Sequence, residues 1–291
     1  MDREQRFAES LREMQNAHGP YHSYSFNADG LMVPRKDLGV FFDRLLTIVN
    51  DVFQGTPHRK LRILDLGSYE GVFSLGFARL GADVVSVEGR EAGVMKLKFA
   101  ADALKLKNVR AIHSDVRQVT REHYGKFDLV LACGVMYHLD AHSVFEVAAN
   151  IFDMTKKAAI IDTHIALSRP MQSEYGGQVY WGKPYREFPP GTLAYEKARN
   201  LAAALDNDES FWLTRISWLN LLKNLGFGTV YESLLPSVQQ ERGFYDRITM
   251  VALKNARPHG FFSETSSDGP LEEQIDGKVY HSQGDNFSFS T

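Results

Sequence analysis

Two acids separated by a glycine-rich turn are the first residues here whose types and spacing could do chemistry. LDLGSYEG holds Asp65, Gly67, Ser68 and Gly71, and Glu88, 23 residues past Asp65, closes the apolar run DVVSV. Gly67 lets the backbone turn sharply, and Gly71 lets a helix start come close to a bound molecule. Asp65 is then aimed at that molecule, and an acid about 20 residues further on suits an acceptor for both ribose hydroxyls. Such a turn serves a dinucleotide or S-adenosylmethionine. A pyrophosphate wants G-x-G-x-x-G and a helix start free of competing negative charge. Here the third position of that pattern is Tyr69 and the next is Glu70, a carboxylate where a phosphate would sit, which disfavours NAD. A sulfonium zwitterion has no phosphate to repel, and its ammonium is attracted by Asp65.

To hold these groups the chain needs a strand, a turn and a helix. Leu61, Ile63, Leu64 and Leu66 suit a parallel strand covered on both faces, and Val72, Phe73, Leu75, Gly76 and Ala78 suit a helix packed on it. The alternation predicts strand 61–66, helix 70–80, strand 83–87, helix 90–106, strand 108–113, a short helix near 115–123, and strand 127–132. Helix 140–153, capped by Asp140, and strand 157–165 follow. On helix 90–106 the lysines Lys96, Lys98, Lys105 and Lys107 read as a solvated face.

Upstream, Phe7, Leu11 and Met14 suit an amphipathic helix over 2–17. Tyr21 to Pro34 reads as a hairpin or extended lid around Asn27-Ala28-Asp29-Gly30, followed by a helix over 37–53. Residues 167–210 carry Tyr175, Tyr180, Trp181, Tyr185, Phe188 and Tyr195 among Gly and Pro, and read as a lid-like insertion rather than sheet. Thr214 caps a helix over 215–225, and strands 227–234 and 245–253 form a hairpin. The tail from Ala256 is rich in Ser, Asp and Gly and reads as disordered.

The length of 291 residues, 44% of them hydrophobic, suits one elaborated α/β domain. We divide it into a cap over 1–56, a core over 57–255 with the insertion 167–210, and an acidic tail over 256–291. The charged start and the absence of a long apolar run point to a cytoplasmic protein with no membrane partner. The single Cys133 excludes an internal disulfide and a zinc-cluster spacing. The tail carries two basic and six acidic side chains, so the formal charge of −3 leaves the body close to neutral. A tRNA binder shows a clear basic excess. The balance therefore argues against nucleic acid and for a small-molecule substrate, and nothing in the sequence sets an oligomeric state.

These residues resemble a class I S-adenosylmethionine-dependent methyltransferase. The similarity continues through SDVR (Ser114–Arg117) and FDLVLACGVMYHL (Phe127–Leu139), covering residues 60–165. It implies a Rossmann-like α/β fold: a mostly parallel seven-stranded sheet with an antiparallel edge hairpin, helices on both faces, and S-adenosyl-L-methionine as cofactor. It also places Asp115 and the Val116 amide at the adenine, and Cys133 and Gly134 against the methionine half. A helix N-cap is the alternative role for Asp115. YHSYSFNADGLMVP and GVMYHL are further similar to the branch containing the tRNA wobble-uridine carboxymethyltransferase, where Tyr137 and His138 would line the cofactor and acceptor site.

Transfer from a sulfonium depends mostly on proximity and needs a base only when the acceptor holds its proton, as an aliphatic hydroxyl does. His164, at the end of IIDTH, is the preferred base, with His138 and Tyr137 as further catalytic candidates; a structural hydrogen bond is the plainer role for either histidine. Asp162 and His164 alternate on one strand, but two ligands without a third are weak evidence for a metal, and none is expected. Tyr24, Tyr180 and Trp181 are candidates to contact the acceptor, or to pack as a hydrophobic cap. The favoured reading is O-methylation of a small metabolite. The alternatives are tRNA modification with carboxy-S-adenosylmethionine and a cofactor-binding protein without catalysis.

Overall fold

Strand β3 (Arg62–Leu66) shows why the chain folds around LDLG. In a computed structural model, which describes residues 3–27, 30–201, 203–233 and 246–254, every side chain from Ile63 to Leu66 is buried. Only a strand covered on both faces tolerates such a run. Removing Ile63, Leu64 and Leu66 from water contributes about 1.5–3 kcal/mol each. β3 pairs in parallel with β4 (Asp83–Glu88) on one side and with β6 (Phe127–Cys133) on the other, and β4 pairs in parallel with β5 (Val109–His113). The chain runs outward through β4 and β5 and then returns to the opposite side of β3. The end of β3 is therefore a topological switch point, where open α/β sheets hold their ligands.

With β7 (Thr155–His164), β11 (Thr229–Glu232) and β12 (Arg247–Leu253), the seven-stranded sheet has the order β11-β12-β7-β6-β3-β4-β5. β11 and β12 pair antiparallel at its edge, as the resemblance implies. Helix α3 (Val72–Arg79) follows the glycine turn and α4 (Glu91–Ala103) follows β4. The short helix near 115–123 is a 3-10 turn over Val116–Gln118 and a single turn of helix, α5 (Arg121–Tyr124). Two caps form as expected. Asp140 Oδ1 accepts the His142 and Ser143 amides at the start of α6 (Ala141–Met154), and Thr214 Oγ1 accepts the Ser217 amide at the start of α8 (Arg215–Leu225).

By compactness the chain divides into two units. One holds the described residues up to Cys133 with Met154–Ala158, and the other holds Gly134–Asp153 and the described residues from Ala159 onward. In the first unit, α1 (Arg3–His18), the hairpin of β1 (Tyr24–Phe26) and β2 (Met32–Pro34), and α2 (Lys36–Val52) precede β3. Tyr24 and Met32 share a core with Val72, Leu75, Leu97, Ala100 and Ala101. The hairpin-tip residues Ala28 and Asp29 and the tail 256–291 lie outside the described residues.

In the second unit the insertion differs from expectation. It builds a three-stranded antiparallel sheet from β8 (Met171–Tyr175), β9 (Gln178–Arg186) and β10 (Glu209–Leu213), with α7 (Ala194–Arg199) between the last two. The hairpin signal is Gly176-Gly177: both have positive φ, 58° and 74°, as a two-residue type I′ turn requires. One face of this sheet is packed. Tyr180 lies 5.3 Å from the Phe145 ring, and a Cβ at Gly182 would strike the Phe211 ring and the Trp212 carbonyl.

Candidate active site

The glycine turn is held by backbone hydrogen bonds within the first unit. The Gly67 and Ser68 amides donate to the Val87 carbonyl and the Gly71 amide to the Ser68 carbonyl. Gly71 has φ +81°, and a Cβ there would lie 1.6 Å from Leu97 Cδ1. We therefore expect Gly71→Ala to lower unfolding free energy by about 2–4 kcal/mol, from positive-φ strain plus overpacking, as a shifted midpoint in urea unfolding. Gly93 on α4 belongs to the same packing, although no sequence motif marks it: a Cβ would stand 2.6 Å from the Tyr69 carbonyl oxygen and 2.9 Å from Glu88 Cγ.

Asp65 is buried, with Ser74 Oγ 2.6 Å from its Oδ2 and Ser86 Oγ a further 2.9 Å from Ser74 Oγ. Burial lifts its pKa to about 7, against the hydrogen bond from Ser74, and Glu88 adds to the rise. An acid in that state favours a cationic ligand. For the empty protein the sign follows. The folded pKa lies above the unfolded value of about 3.9, so the stability due to this proton is complete below that value and is lost as pH rises through about 7. Asp65→Asn should flatten that part of the melting-temperature profile between about pH 4 and pH 7, read by thermal unfolding without ligand.

Glu88 is also buried. Its Oε2 accepts the Tyr69 amide at 2.8 Å and its Oε1 the Arg90 amide at 2.8 Å, leaving each oxygen a further lone pair. Burial raises its pKa, against those amides and the Arg90 charge. Asp115 caps the 3-10 turn by accepting the Arg117 amide at 2.8 Å, and it also pairs with the Arg117 guanidinium. The N-cap role is thus present, and the ion pair with Arg117 comes in addition to it. Val116 is buried beside it, and Cys133, half-buried, ends β6.

One expectation about charge is corrected. Lys96 does not belong to a solvated face: it is 1% exposed and its Nζ lies 2.8 Å from Glu70 Oε1. Glu70, equally buried, is the partner in that pair, and it also accepts the His22 and Ser23 amides. The carboxylate that argues against NAD in the sequence is therefore a structural anchor. Helical spacing alone does not separate Lys96 from its neighbours, because its partner lies 26 residues away.

The second unit gathers the catalytic candidates. Met136–His138 form a 3-10 turn, and His138 Nδ1 lies 3.0 and 3.2 Å from the two oxygens of Glu187, just after β9. Glu187 also accepts the Ala204 amide at 2.9 Å and the Ser210 hydroxyl at 2.8 Å. Burial pushes Glu187 up, but His138, Ser210 and Ala204 together hold it below the usual carboxylate range. A charged carboxylate only accepts, so Nδ1 carries a proton and donates to Glu187, which leaves Nε2 as the outward-facing ring nitrogen. His164 Nδ1 lies 3.3 Å from Asp246 Oδ1. Its ring stacks on Trp212 at 4.9 Å and meets the Tyr137 ring edge-on at 4.7 Å. Burial raises the Tyr137 phenol, against Arg247, so it is a donor at neutral pH and not a base. Tyr137, His138 and His164 are thus brought together, with Trp212 donating from Nε1 to the Tyr137 carbonyl.

The Asp162 carboxylate accepts Arg247 Nε at 2.6 Å and the Thr249 hydroxyl, and among the described residues no group of three ligand side chains is placed to hold a metal ion. The aromatic candidates are dispersed. Tyr24 is buried with its hydroxyl donating to the Glu70 carbonyl, and Tyr180 is buried with its hydroxyl 3.1 Å from Asn224 Nδ2. Both are packing residues in this structure. Trp181 is half-buried, with Arg169 5.8 Å from its ring. The exposed aromatic face belongs instead to Tyr185, stacked on Trp212 at 4.3 Å and 13°. Glu187, Trp212 and Arg247 carry no signal in the sequence because their contacts join distant segments.

Residues 63–158 match the family described as a methyltransferase domain. The chain is 36% identical over 77 residues to glycine/sarcosine N-methyltransferase of Aphanothece halophytica, covering 26% of this chain and 29% of that protein. It is 34% identical over 87 residues to a ubiquinone biosynthesis O-methyltransferase of Azorhizobium caulinodans, covering 28% and 32%. It thus spans about a third of these relatives' length. The N-terminal domain of EvdMO1, solved with SAH and D-fucose, shares the fold with a TM-score of 0.64 and 24% identity, over 88% of this chain and 98% of that one. No helix among the described residues is long and apolar enough to cross a membrane.

Proposed function

We propose that this chain, a class I S-adenosylmethionine-dependent methyltransferase by its domain and fold, methylates a hydroxyl of a small metabolite, with a pyranose sugar as the leading acceptor class. The cofactor site fits such a ligand. In this reading Glu88 would use its remaining lone pairs for the ribose hydroxyls, the buried acid Asp65 would take the ammonium, and Asp115 with the Val116 amide would address the adenine. Gly67, Ser68 and Gly71 give the turn its shape, and Cys133, which ends the central strand, would meet the methionine half. When bound, S-adenosylmethionine supplies a methyl carbon already activated by the adjacent sulfonium.

The observation that carries the acceptor reading is the His138–Glu187 pair. An aliphatic hydroxyl keeps its proton at neutral pH, so its transfer benefits from a base in a way that an amine lone pair does not. Glu187 orients His138 and stabilises the imidazolium, and Nε2 takes the hydroxyl proton as the oxygen acquires the methyl group. Tyr137 donates a hydrogen bond to the acceptor, and His164, backed by Asp246, is the second histidine of the cluster. The Tyr185–Trp212 stack, with Trp181 as a further aromatic, offers the apolar face of a sugar a surface to lie on. The sugar found with the EvdMO1 domain and the near-neutral body both favour this class over RNA.

The test is release of S-adenosylhomocysteine with hexoses and deoxyhexoses, catechols, glycine and bulk tRNA offered in turn. The proposal predicts turnover with a sugar hydroxyl. Turnover confined to glycine or tRNA would overturn it.

A further inference from the structure

Glu70 of the glycine turn and Lys96 of α4 form a buried ion pair that the transfer chemistry does not use. Such a pair is a weak source of stability, because an apolar pair of similar volume often does as well. Its contacts suggest position instead. Glu70 Oε2 accepts the Ser23 amide at 2.7 Å and the His22 amide at 2.9 Å, and the Glu70 carbonyl accepts the Tyr24 hydroxyl at 3.0 Å. Lys96 Nζ donates to the Pro20 carbonyl at 2.6 Å, and the Tyr21 hydroxyl donates to the Lys96 carbonyl at 2.9 Å. The segment Pro20–Tyr24 is therefore strapped to the turn and to α4 by groups with 1% exposure.

The turn residue beside Glu70 shows what the strap holds. Tyr69 has φ +54°, a conformation that residues with a Cβ seldom adopt, and its amide donates to Glu88 at 2.8 Å. From strap to Glu70 to Tyr69 to Glu88, one chain of covalent and hydrogen bonds reaches the acid assigned to the ribose. We propose that Glu70 and Lys96 are positioning residues of the cofactor site, locking Pro20–Tyr24 onto the glycine turn so that strap and cofactor hold each other in place. The proposal rests on the cofactor reading above and is independent of the acceptor.

The test uses the full chain and S-adenosylhomocysteine alone. Hydrogen exchange of residues 20–26 and calorimetric affinity are compared between the wild type and the double variant Glu70→Gln/Lys96→Met, which removes both charges so that neither is left buried alone. In the wild type the ligand should slow exchange of the strap at least about tenfold, and in the double variant the dissociation constant should rise about tenfold or more while strap exchange ignores the ligand. Tyr24→Phe, a milder change, should move both readouts in the same direction. A purely structural role would lower the melting temperature and leave the affinity of the folded fraction unchanged. The proposal is overturned if the double variant binds as tightly as the wild type, or if the ligand leaves strap exchange untouched. A wild type that binds no S-adenosylhomocysteine would overturn the cofactor reading itself, and this proposal with it.

Discussion

His138→Ala should lower kcat by about 10²- to 10⁴-fold, the range for removal of a general base. The acceptor KM should change little, because the lost interaction acts where the proton moves in the transition state. The surroundings of His138 suit a base. Glu187 holds its Nδ1 side with both oxygens, and the Ala204 amide and Ser210 hydroxyl hold Glu187 in turn. Glu187→Gln keeps the size of the side chain but offers an NH2 group where Nδ1–H now donates, which favours the wrong tautomer. It should cost about tenfold or more in kcat. Added imidazole should restore part of the His138→Ala rate. If His138 only secures the fold, kcat and melting temperature will fall together and imidazole will do nothing. His164→Ala provides the comparison: should it lose more rate than His138→Ala, the base would be the histidine beside Asp246.

The second large effect is expected at Glu88. If its carboxylate accepts two ribose hydroxyls at about 1.5–3 kcal/mol each, Glu88→Ala weakens S-adenosylhomocysteine binding by about 10²- to 10⁴-fold. Glu88→Gln keeps one acceptor and should lose about tenfold. The truncation also frees the Tyr69 and Arg90 amides. Melting curves without ligand separate this structural cost from the affinity loss. An unchanged affinity in Glu88→Ala would place the ribose elsewhere and remove the reason for reading the acid after β4 as a ligand contact.

The two kinds of signal in this chain are not equally legible. The order β3-α3-β4-α4-β5-β6 follows from apolar runs of strand length separated by helical periods, and the turn after β3 from glycines whose positive φ is a local property. Those features lie within a short stretch of chain. The His138–Glu187 pair spans 49 residues, and the Arg247–Asp162 pair spans 85. Such pairings depend on how strands and turns come together and leave no local pattern. Lys96 shows the same limit. Among four lysines of similar spacing, only tertiary contact reveals that this one is buried against Glu70. The insertion sheet lies within reach of the sequence, because Gly176-Gly177 between strand-like arms is a hairpin signal, but the surrounding Gly and Pro obscure it.

The most direct measurement follows the methyl group itself. Supplying S-adenosylmethionine with an isotopically labelled methyl carbon, together with a set of pyranoses, and reading the product by carbon NMR identifies the atom that receives it. The account predicts that the label appears as a methyl ether on a sugar hydroxyl and that His138→Ala suppresses it. A label found on nitrogen or on an RNA base, or left on the cofactor with every sugar tried while binding is intact, would contradict the account.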